Sequence, residues 1–417
     1  TLKALITSLL FTPANSIAST AYVTSDANDG PGSLREALAS GADVIEIDES
    51  VGIIAVTESL QYTFTDALKV VGSGQIIDGS GLTDPSTPIF EVTMGADLAM
   101  FDLGFMGPGG YDYYNPGGGK GIFVDVPLER TGTVSLKLTG VSVYDVGNHG
   151  IHVSDCSEGD ACGGGQGGGG EGSSASIDVR LVDVLVDGVG FGKQDADGVR
   201  VDDRADGDIF FSAVNSSFMN VGADGIELDE GNDGSVFVEV RNNVFYQNGA
   251  YCLPWEDDPQ IDPTCNDDGD ADVDDAFDVD EAGEGSIEGF VRNNYIIENY
   301  DEGLDFDEED AGGYDLLLAS NFAVGNEDEG VKISEENDGD IHATIRSHYS
   351  EDNNGSKEGI QIDEADDGTV AVVVTGSDFV GGDEEELKVE ALDEGETGTV
   401  KVRGTDVVLE LDNVDEI

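Results

Sequence analysis

Five segments of the sequence share one pattern and decide the fold: DGVRVDDR (197–204), DGIELDEG (224–231), EGLDFDEE (302–309), EGVKISEE (329–336) and EGIQIDEA (358–365). Their glycines recur at a nearly constant interval, with 27 residues between Gly198 and Gly225 and 27 between Gly303 and Gly330. The longer gap between these pairs holds one more unit, DAFDVDE with Ala276 in place of the glycine, and an insertion of 24 residues. A fixed period of this length indicates stacked structural repeats.

Each unit contains two further short runs of alternating apolar and polar residues, such as SVFVEVRNN from Ser235 and VFYQNG from Val244. Because alternate residues of a strand point to the same side, Ile226 and Leu228 of one unit are expected to stack on their counterparts in the next. The pattern therefore predicts an all-β fold, a parallel β-helix solenoid with three strands and about 27 residues per turn. One turn of the unit carries Asn215, Asn242 and Asn293. Their amides are expected either to stack on one another or to act as ordinary turn residues.

The N-terminal region has two distinct patterns. Residues 1–21 join Lys3 to a short apolar run and small residues, which is typical of a signal peptide; an assembly-forming segment is the alternative. In PGSLREALASG (31–41), Ser33 and Glu36 form a capping-box pattern, which predicts a short helix that covers the open end of the solenoid. We expect one β-helix domain over 22–417, with its capping segment at about 22–50.

Composition limits the partners and the location of the protein. The 417 residues include 89 acidic and 18 basic residues, a net charge of −71, which disfavours nucleic acid. Polyanionic glycans would need bridging cations, and adaptation to salty surroundings is the alternative explanation of the charge. No segment after the leader has the length of apolar sequence that a membrane span needs. We expect a protein that is secreted or at the cell surface.

Four cysteines lie in two close pairs, Cys156 with Cys162 and Cys252 with Cys265. Each pair falls in a segment that interrupts the repeat, at about 155–174 and 250–275. Local disulfides are the simplest interpretation in an exported chain. Zinc is the weaker alternative, because short Cys-x-x-Cys spacing is absent.

Acidic residues repeat in two adjacent positions of the first strand, and we expect both on an exposed face. The first column is Asp202, Asp229, Asp280, Asp307, Ser334, Asp363 and Glu390, and the second is Asp203, Glu230, Glu281, Glu308, Glu335 and Glu364. Neighbouring turns are about 4.8 Å apart, so the carboxylates need counter-charge. Carboxylate oxygens from adjacent turns suit Ca²⁺, and a hydrated acidic surface is the alternative.

A second calcium candidate lies in DGDADVDDAFDVDE, which begins at Asp268 and leads into the unit at Ala276. Asp270, Asp272 and Asp274 stand at alternate positions and Glu281 is twelfth from Asp270, as in an EF-hand loop. Asp275 replaces the turn glycine of that loop, so an irregular calcium site or an acidic excursion is expected.

The segments GPGSLREAL (30–38), IEID (45–48) and IIDGSG (76–81), with the repeated turns, resemble the right-handed parallel β-helix proteins of the pectin-lyase-like superfamily. The resemblance covers about residues 22–417. It implies a right-handed β-helix but no single activity, because the superfamily includes lyases, hydrolases, epimerases and non-catalytic surface proteins.

The resemblance implies two kinds of catalytic site. β-Helix lyases of this superfamily commonly pair calcium with an Arg or Lys base, whereas its β-helix hydrolases use clustered aspartates. The one comparable local arrangement is Arg200 and Arg204 beside three aspartates, and its catalytic candidates are Arg200, Asp197, Asp202 and Asp203. The hydrolase pattern of NTD, DD, GHG and RIK is not reproduced. His149 and His152 near Asp155 are either proton carriers or structural residues.

Two functions follow as hypotheses. The first is a secreted acidic calcium-binding scaffold of the cell surface, extracellular matrix or a filament, with polysaccharide or further copies of the chain as partners. The alternative is a polysaccharide lyase or glycoside hydrolase that acts on the first-strand face, since fold resemblance alone does not establish activity.

Overall fold

A computed structural model of the chain describes residues 18–110, 117–157, 170–252, 273–337, 339–353, 359–366, 368–380, 386–391, 397–404 and 407–417. Strands make up 51 % of the structure and helix 2 %. No helical segment in these ranges combines the length and hydrophobicity that a membrane crossing requires.

The elements of the N-terminal half are α1 (Leu34–Ala39), β1 (Thr20–Val23), β2 (Val44–Ile47), β3 (Ile54–Ala55), β4 (Leu60–Tyr62), β5 (Leu68–Asp78), β6 (Phe90–Val92), β7 (Leu98–Met106), β8 (Ile122–Asp125), β9 (Thr131–Thr139), β10 (Ser142–Tyr144), β11 (Ile151–Ser154), β12 (Ser174–Val182), β13 (Leu185–Asp187), β14 (Val199–Asp203), β15 (Ile209–Val214), β16 (Ser217–Met219), β17 (Ile226–Glu230), β18 (Val236–Arg241) and β19 (Val244–Tyr246).

The C-terminal half continues with β20 (Asp278–Gly283), β21 (Ile287–Arg292), β22 (Tyr295–Ile297), β23 (Asp307–Asp310), β24 (Gly313–Ala319), β25 (Phe322–Val324), β26 (Lys332–Asn337), β27 (Asp340–Arg346), β28 (Tyr349–Glu351), β29 (Ile360–Asp366), β30 (Thr369–Thr375), β31 (Asp378–Val380), β32 (Leu387–Ala391), β33 (Thr397–Arg403), β34 (Leu409–Asp412) and β35 (Val414–Glu416).

The strands are parallel and each pairs with its counterpart one turn away, which confirms the predicted β-helix and its right-handed form. Twelve strands form one sheet, in the order β4, β6, β8, β11, β14, β17, β20, β23, β26, β29, β32 and β34. This sheet contains all five quoted repeats. The other 23 strands build the remaining two sides of each turn.

The register confirms the repeat read from the sequence. Val199 pairs with Ile226 one 27-residue turn later, and Leu228 pairs with Val279 across the insertion. Ala276 therefore marks the additional turn that the spacing predicts. Inward Val, Ile, Leu and Phe side chains of all three sides form one continuous buried core, as expected for strands stacked at about 4.8 Å.

Buried asparagines form two ladders at the corners of the solenoid. In one, the amide of Asn243 donates to Asn294, and that of Asn294 donates to Asn321, at 3.2 and 3.0 Å. In the other, Asn248, Asn299, Asn326 and Asn353 are joined in the same way at 2.8–2.9 Å. These bonds satisfy amides and turn carbonyls that water cannot reach.

The predicted asparagine stack is displaced by one residue. Asn215, Asn242 and Asn293 have φ values of 54°, 59° and 56°, so they turn the chain, and the buried ladder is formed by the residues that follow Asn242 and Asn293. Asn242 does donate to Asn215 at 3.2 Å, on the exposed side of the corner.

Helix α1 begins at Ser33, whose side chain accepts a hydrogen bond from the Glu36 amide, while the Glu36 carboxylate accepts one from Gly32. The Ser33 half of the predicted capping box is therefore formed, whereas Glu36 bonds the amide of the residue before the N-cap instead of that of Ser33. Leu34, Ala37 and Leu38 face the core. Strand β1 starts at Thr20, inside the predicted signal peptide, whose residues 1–17 lie outside the described residues; the peptide and the domain limits stay predictions.

Both predicted disulfides fall partly outside the described residues. Cys156 and Cys252 are described and neither is a free thiol. Cys162 and Cys265 belong to the ranges 158–169 and 253–272, which are not described. The two pairings stay predictions.

Candidate metal centre

The first acidic column lies across adjacent strands of the 12-stranded sheet. The register joins Asp202 to Asp229, Asp229 to Asp280, and Asp280 to Asp307. It continues through Ser334, Asp363 and Glu390. We call the outward side of strands β14, β17, β20, β23 and β26, with the turn residues before them, the acidic face.

A positively charged side chain, that of Arg200, lies at the N-terminal end of the acidic face. The Arg200 guanidinium contacts Asp195, Asp197, Asp202, Glu227 and Asp229, with nitrogen–oxygen distances of 2.6–3.5 Å for all but Glu227, which is closer. Arg204 also pairs with Asp229. Burial opposes the charged form of Arg200, but the surrounding carboxylates raise its pKa well above the ordinary value.

Three consecutive turns beyond Arg200 replace the cation with an acid. The position of Arg200 is taken by Glu227 and then by Asp278, and Asp305 stands 27 residues after Asp278. A cation returns at Lys332, which lies 2.8 Å from Asp305 and 3.4 Å from Glu302. The acids between Arg200 and Lys332 form the least compensated part of the face.

Groups of three carboxylates in this interval have oxygens within 4.8 Å of one another, the spacing that a single metal ion can bridge. The groups are Asp224/Asp275/Asp278, Glu227/Asp278/Asp280 and Asp275/Asp301/Glu302. They share Asp275 and Asp278, so they form one connected chain of sites. A fourth group, Asp195/Asp197/Glu227, is the one that the Arg200 guanidinium enters.

Burial makes these carboxylates poor anions without a counter-ion. Burial, then repulsion from Asp280 and Asp224, raises the pKa of Asp278 well above its usual range. Burial and repulsion from Asp307 raise the pKa of Asp280 to about 7. Among the described residues, neither Lys nor Arg pairs with Asp224, Asp275 or Asp278. A divalent cation would supply the missing charge.

Of the metal ligands predicted from the sequence, Asp280 belongs to one of these three groups. The group members that were missed are Asp224, Glu227, Asp275, Asp278, Asp301 and Glu302. A signal for them was present, because Glu227 and Asp278 stand two residues before a column member and so share its side of the strand. Asp224 and Asp275 precede the repeat glycine or its Ala276 replacement. Of the EF-hand-like residues, Asp270 and Asp272 lie outside the described residues, while Asp274 lies near Asp224 and raises its pKa in second place after burial.

The second acidic column was placed on the wrong side of the sheet. Glu230 is two residues after Leu228 and four after Ile226, so it points to the core side. The exposure of Asp203, Glu230, Glu281, Glu308, Glu335 and Glu364 is 0–1 %. Burial raises the pKa of Asp203 to about 9, of Glu281 to about 11 and of Glu335 to about 9. We call these six residues the inner file.

The two candidate histidines are buried beside the Arg200 cluster. His152 Nε2 lies 2.6 Å from Asp202, and His149 Nδ1 accepts the Asp197 amide at 3.0 Å. Burial and the Lys120 charge lower the pKa of His152 to about 3. Both rings are at most 1 % exposed, which favours a structural over a proton-carrying role.

An aromatic cleft of about 360 Å³ lies on a different side of the solenoid, over strands β15, β18 and β21. The rings of Phe210 and Phe237 stack at 5.0 Å with an interplanar angle of 9°. The Arg292 guanidinium covers the Phe290 ring at 4.7 Å. Asp178, Arg180, Glu239 and Glu288 surround the rings.

No family model and no curated protein matches the sequence. Among solved structures, Geobacillus virus E2 ORF18 has a TM-score of 0.45 and 12 % identity over 92 % of this chain and 61 % of that one. The enzymatically active domain of bacteriophage CBA120 tailspike protein 2 has a TM-score of 0.46 and 10 % identity over 88 % and 44 %. The chain thus spans less than two thirds of either.

The Azotobacter vinelandii mannuronan C-5 epimerase AlgE6 A-module has a TM-score of 0.41 and 12 % identity over 92 % of this chain and 94 % of that one. All three TM-scores are below 0.5, so no functional residue is transferred from these proteins. The strand register of the chain itself shows the fold: the protein is a right-handed parallel β-helix.

Proposed function

We propose that the chain is an exported calcium-binding β-helix scaffold of the cell surface, the extracellular matrix or a filament. The observation that supports this is the connected chain of carboxylate groups centred on Asp278, which belongs to two of them. Calcium accepts six to eight oxygen ligands in flexible geometry, and adjacent turns offer carboxylates at this spacing. The stricter octahedron of magnesium fits a chain of shared carboxylates less well.

Burial favours ions over a merely hydrated surface. Water stabilises exposed carboxylates, but Asp224 is 6 % and Glu227 5 % exposed, and Asp275, Asp278 and Asp280 are half-buried. An unpaired buried charge is costly, whereas a bound cation compensates several carboxylates together.

The position of Arg200 supports the scaffold over the lyase. A catalytic base must lose its proton and reach the substrate, whereas the Arg200 side chain is 4 % exposed and held by carboxylates that stabilise its charged form. Arg200 with Asp197, Asp202 and Asp203 remains the candidate set of the lyase or hydrolase alternative. Release of unsaturated or reducing ends from a glycan panel in the presence of calcium would favour that alternative.

Thermal unfolding tests the calcium proposal directly. After EDTA treatment, added CaCl₂ should raise the Tm of the full chain more than MgCl₂ or NaCl at equal ionic strength. A single site at 100 times its Kd contributes about 2.7 kcal/mol of stability. In Asp278→Asn the calcium-induced rise should be much smaller, because two of the carboxylate groups lose a charge.

The matched control is Asp315→Asn, the same substitution at an exposed strand position on another side of the solenoid. This variant should keep the whole calcium response. Equal responses of the protein to calcium and to sodium chloride would contradict specific ion binding and favour salt adaptation.

Glycan binding is a second candidate function, favoured by the aromatic cleft. Its volume of about 360 Å³ is within the range of small-ligand sites, and its stacked rings and flanking polar groups suit a sugar ring. Phe237→Ala should weaken binding of neutral oligosaccharides in calorimetry at least tenfold. Tyr295→Ala, an exposed aromatic on another side, should not. Equal affinities of these variants would remove the cleft as the site.

A further inference from the structure

The inner file is a line of carboxylates inside the solenoid. Its members pair in register, from Asp203 to Glu230, Glu281, Glu308, Glu335 and Glu364. All point to the core side, opposite to the acidic face, and lie where the strand enters its turn. The file is therefore separate from the sites that contain Asp278.

The central members receive no hydrogen bond from a backbone amide or from a basic side chain. Both carboxylate oxygens of Glu281, Glu308 and Glu335 are buried without a partner. Glu230 accepts backbone hydrogen bonds from Asn232, at 3.1 Å, and from Gly234. Buried carboxylates normally accept several hydrogen bonds or face a cation. These three glutamates face one another's carboxylates across the turns, an arrangement that needs either shared protons or a cation between the turns.

Glycines let the backbone of the adjoining turn approach each carboxylate closely. A glycine follows each glutamate after four residues, and a Cβ added to it would lie closer than 3.0 Å to the carboxylate; the glycines are Gly234, Gly285, Gly312, Gly339 and Gly368. The same added Cβ would meet the carbonyl oxygen of the glycine one turn earlier, as Gly285 meets Gly234. Each turn thus brings a carboxylate and a backbone carbonyl oxygen to one corner.

We propose that the inner file binds dehydrated calcium ions between successive turns, with bridging glutamates and turn carbonyls as ligands. Turns are about 4.8 Å apart, and calcium–oxygen distances are about 2.4 Å, so an ion midway between two stacked carboxylates reaches both. Two bidentate glutamates and two carbonyl oxygens supply six oxygens, the lower limit of calcium coordination. The inner sites do not depend on those of the acidic face.

Calcium release kinetics of the full chain test this inference. In protein loaded with radioactive calcium and then challenged with excess EDTA, ions of the acidic face should leave quickly. Ions of the inner file should leave at least tenfold more slowly, because their exit requires local opening of the turns. Glu308→Gln keeps the size of the side chain but removes a charge from two inter-turn sites. This variant should release less calcium in the slow phase and the same amount in the fast phase.

Asp278→Asn provides the opposite control, since it should reduce the fast phase and leave the slow phase intact. Glu335→Gln is a second test in case Glu308→Gln fails to fold. A wild-type protein without slowly released calcium would overturn the inference. A Gln variant that keeps the full slow phase would also overturn the inference. If that variant then had an equal or higher Tm in EDTA, protons shared between the glutamates would account for their burial. Neither outcome bears on the fast sites of the acidic face.

Discussion

At the scale of single residues, one side chain interrupts an otherwise uniform ladder. His348 follows Asn243, Asn294 and Asn321 at the same corner, and both of its ring nitrogens are buried without a hydrogen-bond partner. Burial lowers the pKa of His348 to about 4. An asparagine at this position would accept a hydrogen bond from the Asn321 amide, as Asn294 does from Asn243 and Asn321 does from Asn294.

This residue gives a prediction for pH. The imidazole of the unfolded chain takes up a proton near pH 6.5, whereas the folded protein resists protonation down to about pH 4. The contribution of His348 is therefore complete above pH 6.5 and is lost as the pH falls from 6.5 towards 4, on the order of 3 kcal/mol in all. His348→Asn should show less acid destabilisation than the wild type in urea unfolding at pH 7 and pH 4.5.

His342→Asn is the control, because His342 is exposed on strand β27 in the same turn. The informative quantity is the difference between variant and wild type, since many carboxylates titrate in the same range. Parallel pH profiles of His348→Asn and the wild type would contradict the prediction.

At the scale of strands, the sequence predicts the register well but not the side of the strand on which each acidic residue lies. Glycine spacing predicts the register, so the column from Asp202 to Glu390 is correct at each turn. The side of Glu230 and Glu281 was misjudged because charged residues are rarely buried, although their even spacing from Leu228 and Val279 puts them inside. Asn243 was missed for a related reason: Asn242 takes the left-handed conformation, and only the next residue points inward.

Strand β14 carries a prediction about how cations substitute for one another. Arg200→Met leaves Asp195, Asp197 and Glu227 without the guanidinium that enters their group. Loss of one partner of a buried ion pair costs about 3–5 kcal/mol, so the Tm in EDTA should fall. Added calcium should restore part of the lost Tm, because the group Asp195/Asp197/Glu227 without the guanidinium is a set of three carboxylates like the proposed calcium sites.

The control is Arg180→Met, which removes an exposed arginine that pairs with Asp178 at 2.8 Å. Surface pairs contribute about 0–1 kcal/mol, so this Tm should change little. Calcium titration by calorimetry should find one more site in Arg200→Met than in the wild type. An unchanged number of sites would mean that Arg200 does not occupy a cation position.

At the scale of the whole molecule, the solenoid concentrates charge along its length. Each turn repeats the acidic positions of the one before, so part of the net charge of −71 is arranged in columns along the 12-stranded sheet. Composition alone predicts repulsion, but only the fold shows that part of it lies on buried carboxylates. Dissolved salt screens exposed charges well and buried ones poorly, so the two populations should respond differently.

Salt titration separates these populations. In EDTA, raising NaCl from 0.01 to 1 M shortens the Debye length from about 30 to about 3 Å, less than the distance between turns, and should raise the Tm steadily. In saturating calcium the same titration should start from a higher Tm and have a smaller slope, since bound ions already compensate the acidic face. Equal slopes with and without calcium, measured by circular dichroism, would show that the stabilising cations are diffuse and that the acidic columns act only as a salt-dependent surface.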